Sequence, residues 1–170
     1  MKGRTNQMEK EQTLLTDTYI EKKLKKYFRD NLPQYVEGPD SWKINWSPNI
    51  AFTRPDDLYW LDLFFIPGEP FQQELGNWGR NRWSGILQVN ICTPKSEVTV
   101  EDGIDTDEDD DFGTSAMDRC YNDIAEVFKR GVVFDGIRIH KCYRNTSALQ
   151  VYDDFCALPV TIEWQADLSN

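Results

Sequence analysis

Near the start of the chain, apolar residues recur at three- and four-residue spacing, at Leu14, Ile20, Leu24, Tyr27 and Phe28. That period predicts a helix over about 10–31, with Thr16 or Asp17 placed to cap it and Pro33 to stop it. Lys22, Lys23, Lys25, Lys26 and Arg29 crowd toward its C-terminal end, where cations suit the helix dipole, and read as a solvated face.

The pattern then changes. Pro33 to Pro48, rich in Pro, Gly and Trp, reads as a loop, and Asn49 to Thr53 as a short apolar strand closed by a turn at Pro55-Asp56-Asp57. Tyr59 to Ile66 alternates, with Leu61, Leu63 and Phe65 on one face. Pro67-Gly68 interrupts it before Glu69 to Leu75 continues extended. Trp83 to Thr93 sets Leu87, Val89 and Ile91 against Gln88 and Asn90, the alternation of a half-buried antiparallel strand.

Helical spacing returns over Ser115 to Lys129, where Met117, Cys120, Tyr121, Ile124, Val127 and Phe128 form one stripe behind a Thr114 or Ser115 cap. Arg130-Gly131 ends it, and Val132 to Ile139 folds as a hairpin about Asp135-Gly136. A loop from Tyr143 to Asp154 leads to a last strand, Phe155 to Gln165, which Pro159 predicts to lie at an edge for part of its length. Runs of strands separated by two helices predict an α+β fold. We expect an antiparallel-dominated sheet packed against two helices in a single domain over residues 1–170.

Charge changes the picture in one place. The 170 residues carry a net charge of -10, but the stretch from Lys95 to Asp111 alone holds nine acids and one base. Asp105, Asp107, Glu108, Asp109, Asp110 and Asp111 make its densest part. The acidic insertion 97–111 therefore predicts a peripheral, partly mobile loop, with too few apolar residues to offset its ordering. An acidic chain of pI ≈ 4.6 also argues against bulk binding to a phosphate backbone.

Candidate chemistry is sparse. Asp105 to Asp110 starts like a calcium loop, but Asp110 stands where Gly is needed and Ala116 where the closing Glu belongs. The sole histidine, His140, excludes multi-histidine metal sites, and no nucleophile motif accompanies it. Phosphate-cradling glycine patterns are absent. No catalytic, cofactor or metal residue is assigned. No stretch approaches the ~20 apolar residues of a membrane span, and the opening residues lack the apolar run of a secretory signal. An intracellular protein with four reduced cysteines is expected.

The more informative segment runs from Gly76 to Gly85, where Arg80 and Arg82 lie among glycines beside Trp78 and Trp83. Arg and Trp are favoured at interface hot spots, so these four are the candidate interface residues.

From here the chain resembles a known family. Arg80 to Ile91 (RNRWSGILQVNI) is similar to the strand motif of phage tail terminator, or tail completion, proteins of lambda-like siphophages. Ala51-Phe52-Thr53-Arg54-Pro55, Tyr59 to Leu61 and Pro67-Gly68-Glu69-Pro70 match its upstream pattern. Phe128-Lys129-Arg130-Gly131 and Leu158 to Leu168 match its downstream pattern. The long Pro33–Pro48 loop and the acidic insertion depart from it.

The resemblance implies a virion structural protein, not an enzyme, at the head–tail junction. It would be assembled in the host cytoplasm as a hexameric ring that caps the tail tube protein, ends tail polymerisation and meets the head–tail connector. It implies no cofactor and no membrane, with DNA only as cargo through the ring. The acidic loop would then line the lumen or the periphery. The alternatives are a neck or head-completion protein on the portal side, or an intracellular enzyme with a pocket near His140.

Overall fold

A computed structural model describes residues 2–37, 41–47, 51–55, 59–69, 71–72, 81–94, 114–144 and 149–168. Three helices, α1 (Lys2–Asn31), α2 (Pro33–Val36) and α3 (Thr114–Val127), accompany a mixed, curled sheet. Its strands are β1 (Lys43–Ser47), β2 (Trp60–Pro67), β3 (Phe71–Gln72), β4 (Asn81–Pro94), β5 (Val133–Phe134), β6 (Ile137–Arg144), β7 (Gln150–Val151) and β8 (Phe155–Leu168). The order across the sheet is β1-β2-β4-β8-β6-β5, with β3 extending the β2 side of β4 and β7 extending the β6 side of β8.

The mixed α/β character is as expected, but the detail needs correction. The region Pro33–Pro48 is not a plain loop, since it holds α2 and β1. β1 pairs parallel to β2, from Lys43 opposite Trp60 to Ser47 opposite Phe64, so the sheet is mixed. Residues 48–59 make the crossover, about the dozen that a parallel connection needs. Aromatic contacts hold this region down: Tyr35 meets Trp42 edge-on at 5.0 Å, and Trp42 stacks on Tyr59 at 4.9 Å. The strand expected at Asn49–Thr53 does not form over its described part, residues 51–53. α1 begins at Lys2, earlier than about residue 10.

Alternation in β2, β4 and β8 sends one set of side chains inward. Leu61, Leu63, Leu87, Val89, Val160 and Ile162 are all buried on that face. Over it lie Ile20, Leu24 and Phe28 of α1, and Met117, Cys120 and Ile124 of α3. Asp135 and Gly136 both take the left-handed backbone, at φ 46 and 79, which lets β5 and β6 close in a two-residue turn.

β8 runs through the middle of the sheet, between β4 and β6. Pro159 is tolerated there because pairing with β6 ends at Val160 and pairing with β7 resumes at Ala157. The missing N–H thus coincides with a gap on that side of the strand.

Candidate functional site

Of the four interface candidates, the structure describes two. Arg82 sits near the start of β4 opposite Asp167 of β8. Its Nε donates to Asp167 Oδ1 at 2.9 Å and its Nη2 donates to Oδ2 at 3.4 Å, a fork on a carboxylate that planar guanidinium favours. Trp83, the next residue, points to the other face and is only 5% exposed within the core. Its burial fixes the strand and so sets the direction in which Arg82 projects. Trp78 and Arg80 lie outside the described residues, as do Asp105, Asp107, Glu108, Asp109, Asp110 and Asp111.

Behind Trp83, Gly85 lies at a close approach within the sheet. A Cβ there would stand 2.5 Å from the Ile66 carbonyl oxygen and 2.5 Å from the Trp164 ring. Trp164 in turn stacks on Phe65 with ring centroids 5.5 Å apart. Gly85, the last glycine of the arginine segment, is thus a packing glycine.

The face of the sheet opposite the helices carries polar cross-strand pairs. Asn45 Nδ2 donates to Asp62 Oδ1 at 2.9 Å, and Thr161 Oγ1 donates to Gln88 Oε1 at 3.0 Å. Tyr143 donates its hydroxyl to Glu163, and this bond raises the Tyr143 pKa above its ordinary value. Among the described residues, two hollows open on this face. One, of about 400 Å³, brings His140 together with Ser84, Glu163 and Gln165. His140 is exposed at a register shift in β6, and among the described residues no hydrogen bond joins it to Ser84 or Glu163.

The second hollow, about 390 Å³, lies at the other end of the sheet. Its floor is Asp62, Asn90 and Cys92, and its rim is Arg54 with the turn Tyr152–Phe155. Asp62 is held from several sides, accepting from Asn45 and from Trp60 Nε1 at 3.3 Å. Arg54 lies 4.4 Å above the Phe155 ring and 3.8 Å from Asp154. Beneath them Trp60, Cys92, Phe155 and Ala157 form a small second core, with Phe52 against it. Nothing local in the sequence joins these segments; the signal was an acid, Asp62, inside an otherwise apolar strand.

The four cysteines are free thiols. Burial pushes the Cys142 thiol up to about 12, and burial also raises Cys92 and Cys120. Neutral thiols are poor nucleophiles and poor metal ligands, so these three pack as small apolar groups. Among the described residues no group of His, Cys, Asp and Glu is placed to hold a metal ion, and no helix is long and apolar enough to cross a membrane.

No family model matches the chain, and no curated protein matches it. A solved protein structure that is 14% identical superposes with a TM-score of 0.58, covering 86% of this chain and 95% of its own. At that identity the likeness shows a shared fold alone.

Proposed function

We propose that this chain is a structural subunit of a phage tail, a terminator that assembles into a ring on the tail tube, stops its growth and offers a surface to the head connector. The observation that carries the reading is the two-layer architecture. Helices cover one face of the sheet, while the other face is lined by polar pairs and two open hollows. A subunit built to bind others needs such an accessible face with arginine and aromatic groups at its margin. The order of sequence motifs from Ala51 to Leu168 supports the same reading.

Arg82 is a candidate contact because its charge sits 29% exposed at the end of the long central strand. The bond to Asp167 does not remove it from play, since exposed ion pairs contribute only about 0–1 kcal/mol and exchange partners readily. The double change Arg80→Glu and Arg82→Glu should leave a folded subunit that fails to stop tails. Electron microscopy of phage assembled with this variant should show overlong tubes. Tails of normal length on infectious particles would remove the arginine segment from the interface.

A neck protein on the portal side would share the binding chemistry, and tail length in a knockout separates the two readings. Among the described residues, the hollow at His140 is the feature that favours an enzyme. If it were catalytic, His140→Ala would abolish a turnover while leaving particle assembly intact.

A further inference from the structure

We propose that copies of this chain associate head to tail, the exposed cationic stripe of α1 on one copy docking on the acidic hollow in the outer sheet face of the next. The two surfaces lie on opposite sides of a single subunit. Ile20, Leu24 and Phe28 bury one side of α1 against the inner face of the sheet. At 3.6 residues per turn, Lys22, Lys26 and Arg29 fall on the other side of that helix, and all three are exposed. The hollow opens on the outer face, where Asp62 alternates with the inward-facing Leu61 and Leu63.

Charge complements charge across this contact. Within the hollow Arg54 is engaged by Phe155 and Asp154, and no ion pair to Asp62 or Asp153 is formed among the described residues, so three carboxylates share one guanidinium. Asp62 is hydrogen-bonded by Asn45 and Trp60, neutral donors that orient it without cancelling its charge. On α1, Lys26 is paired with the exposed Asp30 and also feels Asp135, while neither Lys22 nor Arg29 has an acidic partner among the described residues. The hollow of about 390 Å³, with Phe64 and Tyr152 in its walls, fits an apolar stem that ends in a cation, as in Lys or Arg.

Two unlike patches on opposite sides of a subunit make a heterologous contact, which closes into a ring or runs on as a filament. A two-fold dimer would need both patches on the same side of the subunit, so that each met its counterpart at once, and these two lie on opposite sides. The inference deepens the terminator reading by naming the contact between subunits, and it rests on that reading for closure into a ring.

A charge swap sized by light scattering tests it. One variant carries Asp153→Lys with Asp154→Lys, and the other carries Lys22→Glu, Lys26→Glu and Arg29→Glu. All five side chains are exposed, and circular dichroism establishes that each variant folds. If either multiple variant loses its fold, the single changes Asp153→Lys and Arg29→Glu serve the same comparison.

Alone, each variant sets like charge against like and should associate at least about tenfold more weakly than the wild type. Mixed in equal amounts, the reversed hollow of one variant meets the reversed helix of the other and native helix meets native hollow, so opposite charges face each other at every contact and closed oligomers should return with an even number of subunits. Oligomers that persist in both separate variants would overturn this docking while leaving a ring built through other surfaces. Loss without recovery in the mixture would overturn the pairing of these two patches. A wild type that stays monomeric at every concentration, even with tail tubes added, would overturn the docking and the ring together.

Discussion

Gly85 shows how one atom constrains this sheet. Its missing Cβ leaves room for the Trp164 ring and the Ile66 carbonyl, both of which would sit 2.5 Å from a methyl group. Neither can yield easily, since one is backbone and the other is clamped against Phe65. Gly85→Ala should therefore destabilise the fold by ~1–3 kcal/mol, as overpacked cores do. A shift in the urea midpoint at unchanged slope measures it, and an unshifted midpoint would mean that the indole moves aside freely.

The buried and half-buried thiols carry a pH dependence. Cys142 ordinarily ionises at 9.0 but in the fold only at about 12. Above pH 9 the unfolded chain gives up a proton that the folded chain keeps. The stabilising contribution is thus complete below pH 9 and falls away as pH rises from 9 to about 12. The raised Cys92 and Cys120 thiols act in the same direction. Denaturant titrations from pH 7 to 10.5 should show stability declining at the alkaline end, and replacing Cys142 by Ala should flatten that decline. At pH 8 a thiol reagent should label Cys92, Cys120 and Cys142 quickly only after unfolding.

At the scale of elements, β1 is joined to the sheet along one side only. It is a five-residue parallel strand at an edge, held by Trp46 edge-on to Phe28 and by Asn45 on Asp62, with Trp60 and Cys92 also directed at the same carboxylate. Asp62→Ala strips these donors of their acceptor and should cost about 1–3 kcal/mol. Hydrogen exchange should then accelerate first in Lys43–Ser47, ahead of the centre of β4. Uniform acceleration would show instead that β1 unfolds only with the whole sheet. The link between β4 and α3 holds the acidic insertion, which offers little apolar surface, so deleting residues 101–111 should leave the melting temperature almost unchanged. A large drop would show the insertion to be packed.

For the molecule as a whole, charge is unevenly divided. Residues 95–111 hold most of the net charge of -10, so the rest of the chain is close to neutral and free to present opposed local patches. A near-neutral body with a cationic helix stripe on one side and carboxylates on the other is suited to ordered self-contact.

Much of this was legible in the sequence because it is local. Period-two alternation marked β2, β4 and β8, a helical stripe marked α3, and Asp135-Gly136 marked the β5–β6 turn. Each pattern states which side of its own element is apolar, and burial of apolar surface then follows whatever the neighbours are. Pairing partners are another matter, because hydrogen bonding between strands leaves no mark on either strand alone. The parallel docking of β1 on β2, the central place of β8 despite Pro159, and the burial of Trp83 beside an outward Arg82 were decided by the assembled sheet. So was the hollow at Asp62, whose walls come from segments far apart in the chain and meet only because β2, β4 and β8 lie side by side.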